Sequence, residues 1–392
     1  MASEDPPLSA RAEAEAYISR ESFHKKFTVP STADHGDLTF SYCDVGLTPE
    51  TATGTSEVPV ILFHPGLFAS RYIGVSLDAL ARHLGVRILT IDRPGFGSST
   101  KVDVEKRVDV WVEMVPLLLA HLNIPHITIV SHCAGTVYAL NLLYRGRGLL
   151  NPERPLSVLL APWVDPQHSK VAIMQAAQYV PGPAYSLFNG ISRFAARGMM
   201  TTVSSSEAVF NAFGMGKPSE EEERAVKSWS RENSLKLEKE CGLSTKMQGA
   251  LQLQTLEHIF AESTAGSSDE ARHCARKTTP GSWGKADDYE VFVKDVAEQE
   301  RSGNGSKPGE GSVESSVATK LRVMAFFAET DHIVGDGGRK YVEKCWRGSP
   351  NEFDDAFEFS SKTIAGSGHD ALVVGFDVWK EIVSYIHGSE VE

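Results

Sequence analysis

The sequence predicts an α/β protein with a mostly parallel central sheet, helices on both faces and a long helical insertion. Three apolar runs rich in β-branched residues, at 58–63, 86–91 and 126–130, each end in a loop that contains glycine or other small residues. Such runs are typical of buried strands. Apolar residues at helical spacing follow the third run, so strand and helix alternate as they do around parallel sheets.

The core is predicted to comprise residues 23–164 and 320–392. A helical extension at 1–22, rich in Ala and Glu, precedes it. Two edge strands are expected next, at 23–29 and 37–44, before the first of the three apolar runs.

Residues 165–295 are predicted to form a helical cap, because they follow the sixth strand, at 157–161, and the core does not need them. Within the cap, Ser219 followed by four glutamates is a helix-start signature. Residues 296–319 are rich in Gly, Ser and charge, which predicts a flexible loop. The polar stretch 263–270 is expected to be flexible as well.

Cys133 is the first candidate for a functional residue. It lies at the centre of residues 131–135, Ser-His-Cys-Ala-Gly, between a strand and a helix. A sharp strand-to-helix turn holds its central residue in a strained conformation and points the side chain into a site. A cysteine there can attack a carbonyl once a base removes its proton. An isolated strand-end cysteine is more often a buried, inert residue, so this interpretation depends on the surrounding motifs.

Two loops upstream of Cys133 support it. Residues 64–67, His-Pro-Gly-Leu, follow the third strand, and residues 92–99, Asp-Arg-Pro-Gly-Phe-Gly-Ser-Ser, follow the fourth. The glycines of the second loop do not indicate nucleotide binding, because no Lys-Ser/Thr pair follows and no complete G-x-G-x-x-G is present.

These three segments, in this order and about thirty residues apart, resemble the α/β-hydrolase superfamily, in its AB hydrolase-1-like form with Cys in place of the nucleophilic Ser. The resemblance covers residues 23–163 and 321–392. It implies that the backbone N–H groups of Leu67 and Ala134 form the oxyanion hole. It also implies that an acid and a histidine follow late in the chain, in that order.

Asp331 and His369 are the residues that the resemblance selects for these two roles. Asp331 follows the apolar run 321–327 in a segment similar to the family's G-x-x-D-x-I-V-P loop, although Gly335 replaces the usual Pro. His369 lies in a glycine-rich loop after the last strand and matches the catalytic base. Three other acids remain alternatives to Asp331: Asp165, Glu329 and Asp336.

No catalytic role is expected for the other histidines near these motifs. We expect His132 to face away from the site, His64 to be structural and His332 to be a loop residue. No metal site is expected, because the five cysteines are scattered without C-x-x-C spacing.

A Cys133–His369–Asp331 triad implies an EC 3.1-type esterase or thioesterase. Such an enzyme cleaves a carboxylic ester, thioester or lactone of a small to medium organic substrate through a thioester intermediate, without a cofactor. Two alternatives remain: an acyltransferase or cyclase with the same triad, or a binding protein without catalysis on the same scaffold. The substrate is expected to enter between the cap and the sheet.

Composition limits the partners. The chain has 392 residues and a net charge of −12, which disfavours nucleic acid. No run of 18 apolar residues predicts a membrane span, and the N-terminus does not resemble a signal peptide. Free cysteines are typical of a reducing compartment, so we expect a cytoplasmic protein.

Overall fold

An eight-stranded sheet forms the centre of the computed structural model, which describes residues 8–49, 57–187, 219–303, 319–350 and 352–389. In chain order the strands are β1 (Lys25–Val29), β2 (Leu38–Gly46), β3 (Val60–His64), β4 (Arg87–Ile91), β5 (Thr128–His132), β6 (Leu156–Leu160), β7 (Leu321–Thr330) and β8 (Phe357–Gly368).

The strands lie in the order β1-β2-β4-β3-β5-β6-β7-β8. Strand β2 is antiparallel to both of its neighbours, β1 and β4. All the other neighbouring strands, from β4 through β3 and β5 to β8, pair in parallel. The chain leaves β3 for β4 on one side and returns to β5 on the other. The loops after these strands therefore diverge, and they leave the crevice at which open α/β sheets bind ligands.

Helices cover both faces of the sheet. In chain order they are α1 (Leu8–Ile18), α2 (Ile73–Leu84), α3 (Arg107–His121), α4 (Gly135–Arg145), α5 (Pro166–Ser169), α6 (Ala172–Ala177), α7 (Glu220–Cys241), α8 (Thr245–Ala261), α9 (Gly266–Cys274), α10 (Tyr289–Arg301), α11 (Gly335–Arg347) and α12 (Phe376–His387). Ser219 and Glu222 form a capping box at the start of α7. None of the helices in the described ranges has the length and apolarity that a membrane crossing requires.

Among the residues that the structure describes, two apolar clusters form the core, one on each face of the sheet. The larger includes Trp111, Phe292 and Trp346, and the other includes Phe63 and Trp379. Because both faces are covered, strands β3, β4, β5 and β6 are buried along their whole length. The sheet therefore holds the ends of these strands rigidly, as a site at its edge requires.

Two sequence predictions in the insertion are wrong. Residues 263–270 are not flexible, because helix α9 begins at Gly266 and Glu270 is fully buried. Helix α10 runs to Arg301, past the expected loop start at 296, because ion pairs fix its last turn: Glu300 contacts Arg147 at 2.6 Å and Arg301 contacts Asp355 at 2.7 Å. The rest of the predicted loop, 304–318, and residues 188–218 of the predicted cap lie outside the described residues.

Candidate active site

Cys133 occupies the turn between β5 and α4, and its backbone is left-handed, with φ of 49°. This conformation is unfavourable for a residue with a side chain, so surrounding contacts must hold it. Cys133 N–H donates to the Leu160 carbonyl at 3.1 Å, and Cys133 O accepts from the N–H groups of Thr136 at 3.0 Å and Trp163 at 3.2 Å. The thiol is buried at the carboxyl end of the central strand.

Glycines on both sides allow the turn to form. A Cβ atom on Gly135 would overlap the His64 carbonyl oxygen, so only glycine lets α4 approach β3 this closely. A Cβ atom on Gly66 would lie 3.4 Å from Cys133 Cβ. The loop after β3 therefore runs directly beside the cysteine.

The two backbone N–H groups expected to form the oxyanion hole are those of Leu67 and Ala134. Both residues are buried, and within the described ranges neither N–H donates a hydrogen bond. Buried N–H groups are nearly always paired, so two orphaned donors beside Cys133 are available for a ligand.

His369 and Asp331 lie together at the ends of β8 and β7. His369 Nδ1 is 2.8 Å from Asp331 Oδ2, and both side chains are buried. The other carboxylate oxygen, Oδ1, accepts from the N–H groups of Ile333 at 2.9 Å and Val334 at 2.8 Å. These bonds fix the carboxylate, and the carboxylate fixes the imidazole.

Electrostatics favours the charged forms of this pair. Burial lowers the pKa of His369, but the Asp331 carboxylate and the Cys133 side chain outweigh burial and hold that pKa well above its usual value. Burial raises the pKa of Asp331, yet His369 and the two N–H donors bring it below its usual value. His369 Nε2, the atom left for Cys133, makes no hydrogen bond of regular geometry among the described residues. The Cys133 side chain nevertheless lies close enough to raise the pKa of His369 both through charge and through a hydrogen-bond contact, and such contacts often tighten only when substrate binds.

The three alternative acids are engaged elsewhere. Glu329 accepts from the Gly366 N–H at 2.8 Å. Asp165 caps α5 and pairs with Arg276 at 2.8 Å. Asp336 is exposed and pairs with basic residues of α11. Of the four acids, Asp331 is the one in contact with His369.

The sequence expectation for His132 is wrong, because its ring does not face away. The ring centroids of His132 and His369 are 4.8 Å apart, and His132 Nε2 donates to the His369 carbonyl at 3.2 Å. Burial and the neighbouring His369 lower the pKa of His132 to about 4. His132 is therefore a neutral ring that supports the backbone of His369.

His64 and His332, the other two histidines considered in the sequence analysis, make no hydrogen bond or ion pair to His369 or Asp331 among the described residues. His64 is buried at the end of β3, its Nδ1 3.4 Å from the Val130 carbonyl, and burial lowers its pKa to about 3. His332 is half exposed, 3.8 Å from Glu222.

One group in the described part of the chain has the residue types and spacing of a metal site: ligand atoms of His132, His369 and Asp370 lie within 4.8 Å of one another. His132 Nε2 already donates its proton to a carbonyl, and His369 Nδ1 is bonded to Asp331. The hydrogen bonds account for this grouping, so we assign no metal to it.

A buried charge network beneath the loop after β3 was missed by the sequence reasoning. Glu270, which lies on α9, forms ion pairs with both Arg93 and Arg107, and all three side chains are buried. Arg93 belongs to the quoted Asp-Arg-Pro-Gly segment, which signalled the fold but no role for the arginine. Glu270 lies in a polar stretch that carried no signal.

Comparisons with known proteins agree with this architecture. Residues 59–178 match the family described as the alpha/beta hydrolase fold. A carboxylesterase structure from the thaumarchaeon Nitrososphaera gargenis is 13% identical and has a TM-score of 0.50, covering 92% of this chain and 97% of its own. A membrane phospholipase A, a bacterial virulence factor, is 11% identical with a TM-score of 0.51, covering 97% and 92%. No curated protein matches the sequence significantly.

The order and direction of the strands, the turn at Cys133 and these matches define the class of protein. The chain has the α/β-hydrolase fold, and the predicted fold class is confirmed. At identities this low, the likeness to solved structures concerns the fold alone. The chemistry has to be argued from the residues of the site.

Proposed function

We propose that this protein is a hydrolase that cleaves a carboxylic ester, thioester or lactone through a Cys133–His369–Asp331 triad. The observation that carries the proposal is the strained Cys133 turn, held beside a buried His369–Asp331 pair. Strain of this kind persists where the surrounding structure enforces it, and it is concentrated at functional sites. A binding protein on the same scaffold would need neither the strain nor the ion pair.

The reaction follows from the positions of the groups. Transfer of the Cys133 proton to His369 Nε2 gives a thiolate–imidazolium pair, in keeping with the raised pKa of His369, and the thiolate then attacks the carbonyl carbon, forming a C–S bond. The oxyanion accepts hydrogen bonds from the N–H groups of Leu67 and Ala134. The bond to the leaving alcohol or thiol then breaks, and His369 donates its proton to the departing oxygen or sulfur.

Hydrolysis of the thioester completes the cycle. A water molecule gives a proton to His369 and attacks the thioester carbon. The C–S bond then breaks, His369 returns the proton to Sγ, and the acid is released. Asp331 stabilises the imidazolium that forms in each half of the cycle. A thioester is open to attack by amines and thiols too, so an acyltransferase or cyclase would use the same first half.

The substrate that suits this site is a small or medium organic molecule. The Cys133 side chain is buried, and residues 165–295, which we propose as a cap, bring α9 against the same edge of the sheet. A thiol buried in this way suits a small acyl group better than a polymer. The five cysteines are all free, in keeping with a reducing compartment such as the cytoplasm.

The test begins with p-nitrophenyl esters, thioesters and lactones, using intact mass to detect the acyl adduct. Cys133→Ala should abolish turnover and the adduct without loss of folding, and Cys133→Ser should keep some activity because the oxyanion hole and base remain. Cys241→Ala is the matched control, since Cys241 is a more exposed thiol on α7. Full turnover by Cys133→Ala would show that the triad is wrongly assigned.

A second measurement separates catalysis from binding. Iodoacetamide should add once at Cys133 and stop turnover, and peptide mapping identifies the modified residue. Product analysis with added amines or thiols distinguishes water from another acyl acceptor. A chain that binds substrates tightly, forms no adduct and releases no acid would instead be a binding protein.

A further inference from the structure

The loop that carries the Leu67 N–H has an unusual anchor. Arg93 Nη1 donates to the Pro65 carbonyl at 2.9 Å, and Nη2 donates to the carbonyls of Gly66 at 2.5 Å and Leu67 at 3.0 Å. One guanidinium therefore holds three consecutive carbonyls of the loop. The planar head of arginine offers five donors in a fixed geometry, whereas a lysine ammonium concentrates three donors on one atom and cannot reproduce these directions.

This anchor determines where the Leu67 N–H points. That N–H belongs to the same peptide unit as the Gly66 carbonyl, and the peptide bond is trans. In a planar trans peptide the C=O and N–H bonds point in opposite directions. Because Arg93 binds the Gly66 oxygen on one side of the loop, we infer that the Leu67 N–H faces the other side. A Cβ atom on Gly66 would lie 2.9 Å from His132 Nδ1 and 3.4 Å from Cys133 Cβ, so the loop adjoins both residues.

Arg93 is itself held by the inserted segment. Its Nε lies 3.7 Å from Glu270 Oε2, an ion pair too long for a hydrogen bond. The other oxygen of Glu270 accepts from Tyr138 OH at 2.5 Å and from Arg107, whose second nitrogen donates to the Pro94 carbonyl at 2.7 Å. Glu270 is fully buried, and the two arginines keep its pKa below the usual value although burial opposes this. Glu270 is thus a carboxylate that fixes the guanidinium from behind.

We propose that Arg93 is the positioning residue of the oxyanion hole, and that Glu270 of α9 couples the inserted segment to it. This inference rests on the proposed function for its catalytic consequence, but the position of the loop can be measured independently. Among the described residues the hydrogen bonds of Arg93 go to these three carbonyls and none goes to Cys133, so we assign it a positioning role through the loop.

The test compares Arg93→Lys with Arg87→Lys. Arg87 is a matched control at the opposite end of β4, where it forms a buried bidentate pair with Asp44 at 2.8 Å, remote from the loop. Three quantities are measured on each variant: the acylation rate of Cys133 by the best substrate, its alkylation rate by iodoacetamide, and amide exchange of the peptide that contains Gly66 and Ala69. Alkylation by iodoacetamide involves no oxyanion, so it reports on the thiol and His369 alone.

Arg93→Lys should slow acylation on the order of 10²-fold, the effect of losing one oxyanion donor, with most of the loss in kcat. Alkylation should stay at the wild-type rate. Exchange should accelerate within the loop, where the Ala69 N–H donates to the Gly66 carbonyl, because that carbonyl loses its anchor. Arg87→Lys should leave the acylation rate, the alkylation rate and the amide exchange of the loop unchanged, even if its melting temperature falls. Arg93→Gln, which keeps two amide donors, replaces Arg93→Lys if the latter does not fold.

Two outcomes contradict different statements. Wild-type acylation and unchanged loop exchange in Arg93→Lys would overturn the role of Arg93. Absence of acylation in the wild-type protein would instead overturn the proposed function, and the loop exchange would then decide the positional role by itself. Parallel losses of acylation and alkylation in Arg93→Lys would indicate general damage to the site and would equally reject the proposal.

Discussion

At the scale of single residues, the site depends on backbone conformations and close approaches that most residues with a side chain would not tolerate. Cys133 is left-handed although it has a Cβ atom, and Gly135 must be glycine because the His64 carbonyl lies against it. Two backbone N–H donors orient the carboxylate of Asp331, whose other oxygen binds His369. Each reactive group is therefore positioned by the main chain, which is why few substitutions nearby should be tolerated.

The His369–Asp331 pair predicts a pH-dependent effect of Asp331→Asn on stability. The pKa of His369 is raised in the folded state, so its stabilisation is complete below the unfolded value of about 6.5 and is lost as pH rises through the folded value. The substitution should cost roughly 1.5–3 kcal/mol at mildly acidic pH, as expected for a charge-assisted hydrogen bond, and less in alkaline solution. Urea denaturation at the two pH values measures the difference.

Asp336→Asn is the control for this comparison, because Asp336 is an exposed acid near the same strand end. Its cost should be small at both pH values, as for other surface ion pairs. An Asp331→Asn penalty that grows with pH would contradict the sign of the His369 pKa shift.

How much of the site could be predicted at this scale depends on where the signal lies in the sequence. Cys133, Asp331 and His369 each follow a strand at a fixed distance, so local motifs pointed to all three, and the structure brings His369 and Asp331 into contact. The orientation of His132 was predicted wrongly because its partner, His369, lies far away in the sequence, where no local motif links the two rings.

At the scale of elements, the insertion is tied to the core by charges that sequence patterns do not reveal. Glu270 was expected in a flexible stretch because its neighbours are Gly, Ser and Asp. It is buried because Arg93 and Arg107, far away in sequence, supply its partners. Local composition predicts the flexibility of a segment only when no distant group compensates its charges.

Helix α9 should resist proteolysis for this reason. Trypsin should leave the bonds after Arg272 and Arg276 intact in the first cuts, because Glu270 and Cys274 anchor the segment in the core. In Glu270→Ala, Arg93 loses its counter-charge and Arg107 keeps only its longer ion pair with Asp269 at 3.6 Å, at a cost of roughly 3–5 kcal/mol, and the same bonds should become accessible. Fragment masses over a short time course provide the measurement. Early cleavage there in the wild-type protein would show that α9 opens readily in solution.

At the scale of the whole molecule, the central sheet positions the site at the ends of its strands. Histidines buried at these strand ends make the stability of the folded protein depend on pH in acid. The apolar runs and the motifs after them predicted a mostly parallel sheet flanked by helices, and this fold class is confirmed, whereas the order of the strands in the sheet is known only from the structure. Both faces of the sheet are covered, so the histidines at the end of β3 and β5 are removed from water. Burial of His64 and His132 keeps both neutral in the folded chain.

Acid should therefore unfold this protein steeply, and His64 should account for part of the slope. The folded pKa of His64 is about 3, below the unfolded value of about 6.5, so the unfolded chain binds one proton more between these values. Stability should fall as pH decreases through this window, by about 1.4 kcal/mol per pH unit for this residue. His64→Asn should flatten the dependence of the unfolding free energy on pH, whereas His387→Asn, at an exposed position, should not. Equal slopes for His64→Asn and the wild-type protein would mean that His64 becomes protonated while the chain is still folded.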